Sequence, residues 1–155
     1  MRVFALILML AICGCGSEPS GRIDGKLAVS VTVAPQAWLV NRIGGDLVTT
    51  AVIVPAGQDV HTYQISESQV SRVHRSAIHF RSGVDVESTR WFNNLASAKT
   101  VDVVDLREGV DMIESDHHHH DDHDHHHHDH NDPHIWLSPR RLLIQAKAVR
   151  DALIT

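Results

Sequence analysis

From Lys26 onward the apolar positions fall into short runs with strand spacing, separated by segments with helix spacing. Leu27 to Val33 (LAVSVTV) is rich in β-branched residues and predicts a first strand. Pro35 then opens a short helix through Trp38, Leu39 and Ile43 that stops at Gly44-Gly45. Leu47 to Val54 predicts a second strand, ended by Pro55-Ala56-Gly57, and Ser66 to Arg75 a helix with Ser66 as its cap. Ala77 to Phe80 is a short third strand closed by Ser82-Gly83. Val84 to Ala98 carries Val84, Trp91, Leu95 and Ala98 at near-helical spacing, and Thr100 to Leu106 is a fourth strand. Strands separated by helices of this length need crossover connections. The predicted fold is therefore α/β, a four-stranded parallel sheet flanked by helices.

Composition narrows the class. The chain has 155 residues, 43% hydrophobic and 21% charged, enough for one domain with a real core and too few for two large ones. A formal net charge of -5 offers no basic field, so nucleic acid is excluded as a partner.

The first residues read as an address. Arg2 supplies a positive start, Val3 to Ile12 is an apolar run of ten, and Cys13-Gly14-Cys15-Gly16 follows. That run is short for a membrane-spanning helix and suits a signal-peptide core. Ile12-Cys13-Gly14-Cys15 resembles a bacterial lipoprotein cleavage box, which implies a signal peptide over 1–14, a lipidated Cys15 and a membrane-bound tether over 15–26. The alternative, a soft metal or redox pair of Cys13 and Cys15, requires that the leader be retained.

Between the fourth strand and the last helix lies a tract over 115–132 in which every residue from His117 to His130 is His or Asp. It contains no apolar residue to bury, so it predicts a solvated loop rather than a core element. Its chemistry is that of ligands. His117, His118, His119, His120, His123, His125, His126, His127, His128 and His130 hold ten of the chain's 14 histidines. Imidazole with occasional carboxylate suits zinc, nickel or copper, whereas calcium and magnesium want oxygen alone.

Topology then points to two isolated histidines. In open parallel sheets ligands bind beyond the carboxyl ends of the strands. The loop after the second strand holds Asp59 and His61, and the segment after the fourth leads through the tract to His134. Both histidines are therefore placed on one edge of one sheet. Taken alone, His134 also fits a turn residue between Pro133 and the apolar anchor Ile135, Trp136 and Leu137. His74, late in a helix, and His79, inside a strand, read as structural. Trp38, Trp91 and Trp136 read as core or packing residues. Ser138-Pro139 reads as a cap and a first helical residue, opening a helix with Leu142, Ala146, Val149 and Leu153 on one stripe.

The order of these parts resembles a known family. A strand, a loop with one histidine in QDVHTYQIS, SGVDVE followed by Trp91, an acidic His-rich insertion and then NDPHIWLSPRR are similar to the metal-binding receptors of bacterial zinc and manganese ABC importers. The loop that usually reads Pro-His-x-Tyr-Glu is here Val60-His61-Thr62-Tyr63-Gln64. The resemblance implies that His61 and His134 are metal ligands and that Glu87, after the glycine-containing turn, is structural. The His-rich insertion favours the zinc branch over manganese; zinc is the expected cargo, with manganese, nickel and cobalt as the lesser candidates. The likeness covers only the first half of the family's length: 27–137 would be the N-terminal metal-binding lobe of a bilobal receptor and 138–155 the start of the interlobe helix, its stripe lacking a packing partner.

The resulting expectation is an extracytoplasmic zinc-binding receptor that catalyses no reaction and delivers its cargo to an ABC permease. It would be anchored in a membrane through lipid, with a second-lobe chain as a further partner if the gene is split. The competing expectation is a stand-alone metal buffer or chaperone acting through the His-rich tract. A metallohydrolase would need three protein ligands and a general base, and no His-Glu-x-x-His is present.

Overall fold

The computed structural model describes residues 21–113 and 131–155. The expected signal peptide over 1–14, Cys15 and the tract from His117 to His130 lie outside the described residues. Within them the chain forms β1 (Arg22–Ile23), β2 (Lys26–Val33), α1 (Ala34–Gly44), β3 (Val48–Val54), α2 (Glu67–His74), β4 (Ile78–Arg81), α3 (Arg90–Ala98), β5 (Asp102–Asp105) and α4 (Pro139–Leu153). Short 3₁₀ turns occupy Gly45–Leu47, Asp85–Ser88 and Ile135–Leu137. Among the described residues no helix is long and apolar enough to cross a membrane.

The four expected parallel strands are present, in the order β3-β2-β4-β5. The chain leaves β2 for β3 on one side and returns to β4 on the other, so the order reverses beside β2, where open α/β sheets place their ligand crevices. A fifth strand is new: β1 pairs antiparallel with the start of β2, Arg22 opposite Leu27 and Ile23 opposite Lys26. The end of the stretch read as a tether, up to Lys26, is thus folded into the sheet. Its turn, Asp24-Gly25, has both residues at positive φ (50° and 74°). Asp-Gly is the pair that a tight two-residue hairpin favours.

Period-two alternation assigns the two faces of the sheet. Val29 and Val31 on β2, Ile78 and Phe80 on β4, and Leu106 beyond β5 form one core cluster with Leu39 and Val40 of α1 and Val149 of α4. Their neighbours in register turn the other way, where Val73 of α2, Phe92 and Leu95 of α3, and Val101 make a second cluster. Each fully buried Phe or Leu contributes about 1.5–3 kcal/mol relative to exposure. Trp136 packs against both clusters.

The stripe on α4 has a partner after all. Leu142, Ala146, Val149 and Leu153 all join the first cluster, so the helix is part of this lobe's core. Ser138 occupies the N-cap position but makes no side-chain cap bond, and Pro139 carries the start alone. Ser66, by contrast, forms a complete capping box with Gln69. Trp38, read as a packing residue, is 61% exposed on the outer side of α1. The helix expected over Val84 to Ala98 is split into the Asp85–Ser88 turn and α3.

Candidate metal centre

Two Asp-x-His turns build the centre. In the loop after β3, the Asp59 carboxylate accepts the backbone N–H of His61 (2.9 Å) and the Thr62 hydroxyl (3.2 Å). Ahead of the last 3₁₀ turn, the Asp132 carboxylate accepts the backbone N–H of His134 (3.0 Å). In both, an aspartate bonding the amide two residues on makes an Asx-turn, which reverses the chain and leaves the histidine at its tip. These bonds hold the Asp59 and Asp132 carboxyls below the usual carboxylate range, the His61 amide being the largest cause in the first and the His134 amide in the second. The first loop is tied down by Gln69, whose amide donates to Ile53 O (2.7 Å) and to the Tyr63 hydroxyl (2.8 Å). The second rests on Ile135, which is 1% exposed, and on Trp136, whose ring centroid is 5.3 Å from that of His134.

The sheet brings the two histidines together as the topology implied. Their ring centroids are 5.6 Å apart at an interplanar angle of 60°. A metal bound by one nitrogen of each of two imidazoles at ~2.0–2.1 Å, with a near-tetrahedral angle, sets the centroids about 5 Å apart. The observed spacing fits that requirement. Each ring also has a carboxylate at Nδ1: Asp85 Oδ2 lies 2.9 Å from His61 Nδ1, and Asp132 Oδ1 lies 2.6 Å from His134 Nδ1. A carboxylate accepts hydrogen bonds, so in the neutral ring this contact favours the tautomer with the proton on Nδ1, which leaves the Nε2 lone pair for a ligand. The side chains of His61 and His134 are 44% and 37% exposed, open enough for an ion to reach them. Among the described residues no group of three or more His, Cys, Asp or Glu is placed to hold a metal. The lobe thus offers two nitrogen donors.

A buried polar network joins β2 and β4 near their carboxyl ends. Glu87, 2% exposed, accepts the amide N–H groups of Ser82 (2.8 Å) and Gly83 (2.6 Å), the Thr32 hydroxyl, and Arg81 Nε at 3.4 Å. Burial pushes the Glu87 carboxyl above its ordinary range, opposed by those donors and by the Arg81 charge. Gly83 closes the turn at φ +79°, and a side chain there would run into Arg107. Burial likewise depresses the pKa of His79 to about 3, with Arg81 adding to the effect. The neutral His79 ring spans Ser30 Oγ (3.0 Å) and Thr32 Oγ1 (3.4 Å) on β2. His79 is structural, as read, and so is Glu87. His74 is exposed at the end of α2.

The sequence alone assigned no role in the centre to Asp59, Asp85 or Asp132. Asp59 and Asp132 carried a signal, the Asp-x-His spacing repeated at both loops. Asp85 carried none, because it reaches His61 from a different loop. A cavity of about 590 Å³ opens at the other end of the sheet, where β2, β3 and β4 begin. Leu27, Ile43, Leu47 and Leu153 line it with a single carboxylate, Asp46, and no histidine, so its chemistry is unsuited to a metal.

Comparison with known proteins gives the family and the fold. The model of the family described as "ZnuA: Zinc-uptake complex component A periplasmic" matches residues 29–155. A manganese ABC transporter substrate-binding lipoprotein, PsaA of Streptococcus anginosus, is 30% identical over 159 residues, covering 96% of this chain and 49% of the relative. A putative metal-binding protein of Chlamydia trachomatis serovar D is 29% identical over 153 residues, covering 98% of this chain and 50% of the relative. Among solved structures, a crystal structure of ZnuA superposes with a TM-score of 0.68 at 28% identity, over 83% of this chain and 46% of that one. The same values hold for a zinc-bound ZnuA lacking 138–173 of its own sequence. The chain spans about half the length of the curated relatives it matches.

Proposed function

We propose, from the premise that the chain belongs to the ZnuA family of zinc-uptake components, that it captures a divalent transition metal outside the cytoplasm for delivery to an ABC permease. The observation that carries this reading is the His61–His134 pair, two imidazoles 5.6 Å apart, each with a carboxylate at Nδ1. Two nitrogen donors favour zinc over manganese, which prefers oxygen. A tetrahedral shell needs two further ligands. In this proposal they come from a second lobe, in the same polypeptide or in a partner chain. Residues 1–14 act as the export signal, Cys15 as the lipid attachment point, and the histidines from His117 to His130 as an auxiliary store of weakly held metal.

The test is zinc binding by competition with a chromophoric chelator. The unsubstituted chain, its His61→Ala and His134→Ala variants, and a variant lacking His117 to His130 are compared. A receptor lobe keeps its tightest site without the tract, and loses it by more than about 100-fold on either histidine substitution, because removing a supporting carboxylate alone costs about 10–100-fold. A second reading, a metal buffer working through the tract, draws on the pair having no third ligand among the described residues. Under that reading deletion of the tract removes the binding and the two substitutions change little.

A further inference from the structure

The two Asp-x-His turns are alike in backbone and unlike in how they hold the ring. Asp132 takes both the amide and the Nδ1 of His134, so one residue sets the turn and the imidazole. Asp59 spends its oxygens on the His61 amide and the Thr62 hydroxyl. The ring of His61 is held instead by Asp85, from the turn after β4.

Asp85 is itself held in place. Val84 and Val86 on either side are 0% and 3% exposed and point into the second core cluster, which turns Asp85 between them outward. The turn is closed from inside by Glu87 on the Ser82 and Gly83 amides, and from outside by Trp91 Nε1 and the Thr89 hydroxyl, both donating to Val86 O at 2.9 Å. An exposed pair such as His61–Asp85, 44% and 68% accessible, adds little to stability. What it does add is direction: it fixes the tautomer and the azimuth of the ring.

We infer that Asp85 is a positioning residue for metal capture: seated on the Glu87-anchored turn, its carboxylate accepts the Nδ1 proton of His61 and presents Nε2 as the ligating nitrogen. The inference rests on the receptor reading of the same pair. It assigns the loop after β4 a part in the site although it supplies no ligand.

The experiment is long-range ¹H–¹⁵N correlation of the imidazoles in the full chain, with His61→Gln and His134→Gln used to assign the two rings apart from the tract. The metal-free protein is expected to show both rings protonated at Nδ1. In Asp85→Ala the His61 ring moves to a mixture of tautomers while His134 stays as it was, and Asp85→Glu restores the pattern. Zinc chloride titrated against the same signals is expected to engage His61 about 10–100-fold more weakly in Asp85→Ala. An Nε2-protonated His61 in the unsubstituted chain, or a tautomer and zinc response unchanged in Asp85→Ala, overturns the role of Asp85. Failure of both rings to respond to zinc in the unsubstituted chain overturns the receptor reading and this inference with it, and leaves the tautomer result to stand as a structural one.

Discussion

The rings of His61 and His134 lie 5.6 Å apart although the loops that carry them leave the sheet from β3 and β5, the strands at its two opposite margins. Between those margins stand β2 and β4, joined near their carboxyl ends by the Glu87 network, which ties Thr32 of β2 to Arg81 of β4 and to the Ser82 and Gly83 amides that follow it. The network therefore braces the two middle strands, the floor between the loops.

That floor should be measurable. Glu87→Gln relieves the cost of burying a charge but leaves one acceptor oxygen where the Ser82 and Gly83 amides use two, and sets an NH₂ against an N–H donor. The unsatisfied buried donor costs about 1–3 kcal/mol, and because burial is the largest influence on the Glu87 carboxyl, relief of the charge offsets part of it, so that figure is the upper bound of the loss. Urea denaturation of Glu87→Gln should show a loss within that bound, and the near-ultraviolet signal of Trp91, bonded to the same turn through Val86 O, should change with it.

His79 predicts a pH dependence with a definite sign. The folded protein holds the ring neutral to about pH 3, whereas the unfolded chain takes up the proton near its model value of 6.5. The unfolded state therefore binds more protons as pH falls, and stability contributed by the neutral ring is full above 6.5 and is lost progressively toward 3. At pH 5 this group alone should cost about 2 kcal/mol relative to alkaline conditions. Chemical denaturation at a series of pH values should show that slope for the unsubstituted chain and a flatter one for His79→Leu between pH 6.5 and 5, the raised Glu87 carboxyl being common to both proteins.

Excision of 114–130 should leave the lobe folded. The amide of Asp132 donates to Ile113 O at 2.8 Å, so the two ends of that segment already meet. A short Gly-rich linker between Ile113 and Asn131 is expected to keep the melting temperature within a few degrees. A collapse of the transition would show that the segment contributes to the fold itself.

Much of this was legible in the amino-acid pattern. The parallel strands were visible because each is a short β-branched run with period two. The convergence of His61 and His134 followed from both lying beyond carboxyl ends. Three features escaped for physical reasons. The β1 hairpin is only two residues deep, too short for any periodicity, and its one signal, Asp24-Gly25, lay inside a polar stretch. The break before α3 arises because Glu87 turns inward to gather amides, a tertiary demand that overrides local helical spacing. Asp85 could not be read at all, since nothing in the spacing of two separate loops records which side chains touch.

The half-open setting of the histidine pair bears on how cargo would leave. With each ring more than a third exposed and two donors supplied by this lobe, an ion seated on the pair alone would keep a hemisphere facing solvent. Under the receptor reading that hemisphere is where the second lobe's ligands enter, so release would begin with their departure. An acceptor could then bind before either imidazole lets go, and such associative ligand exchange would spare the ion dissociation into water.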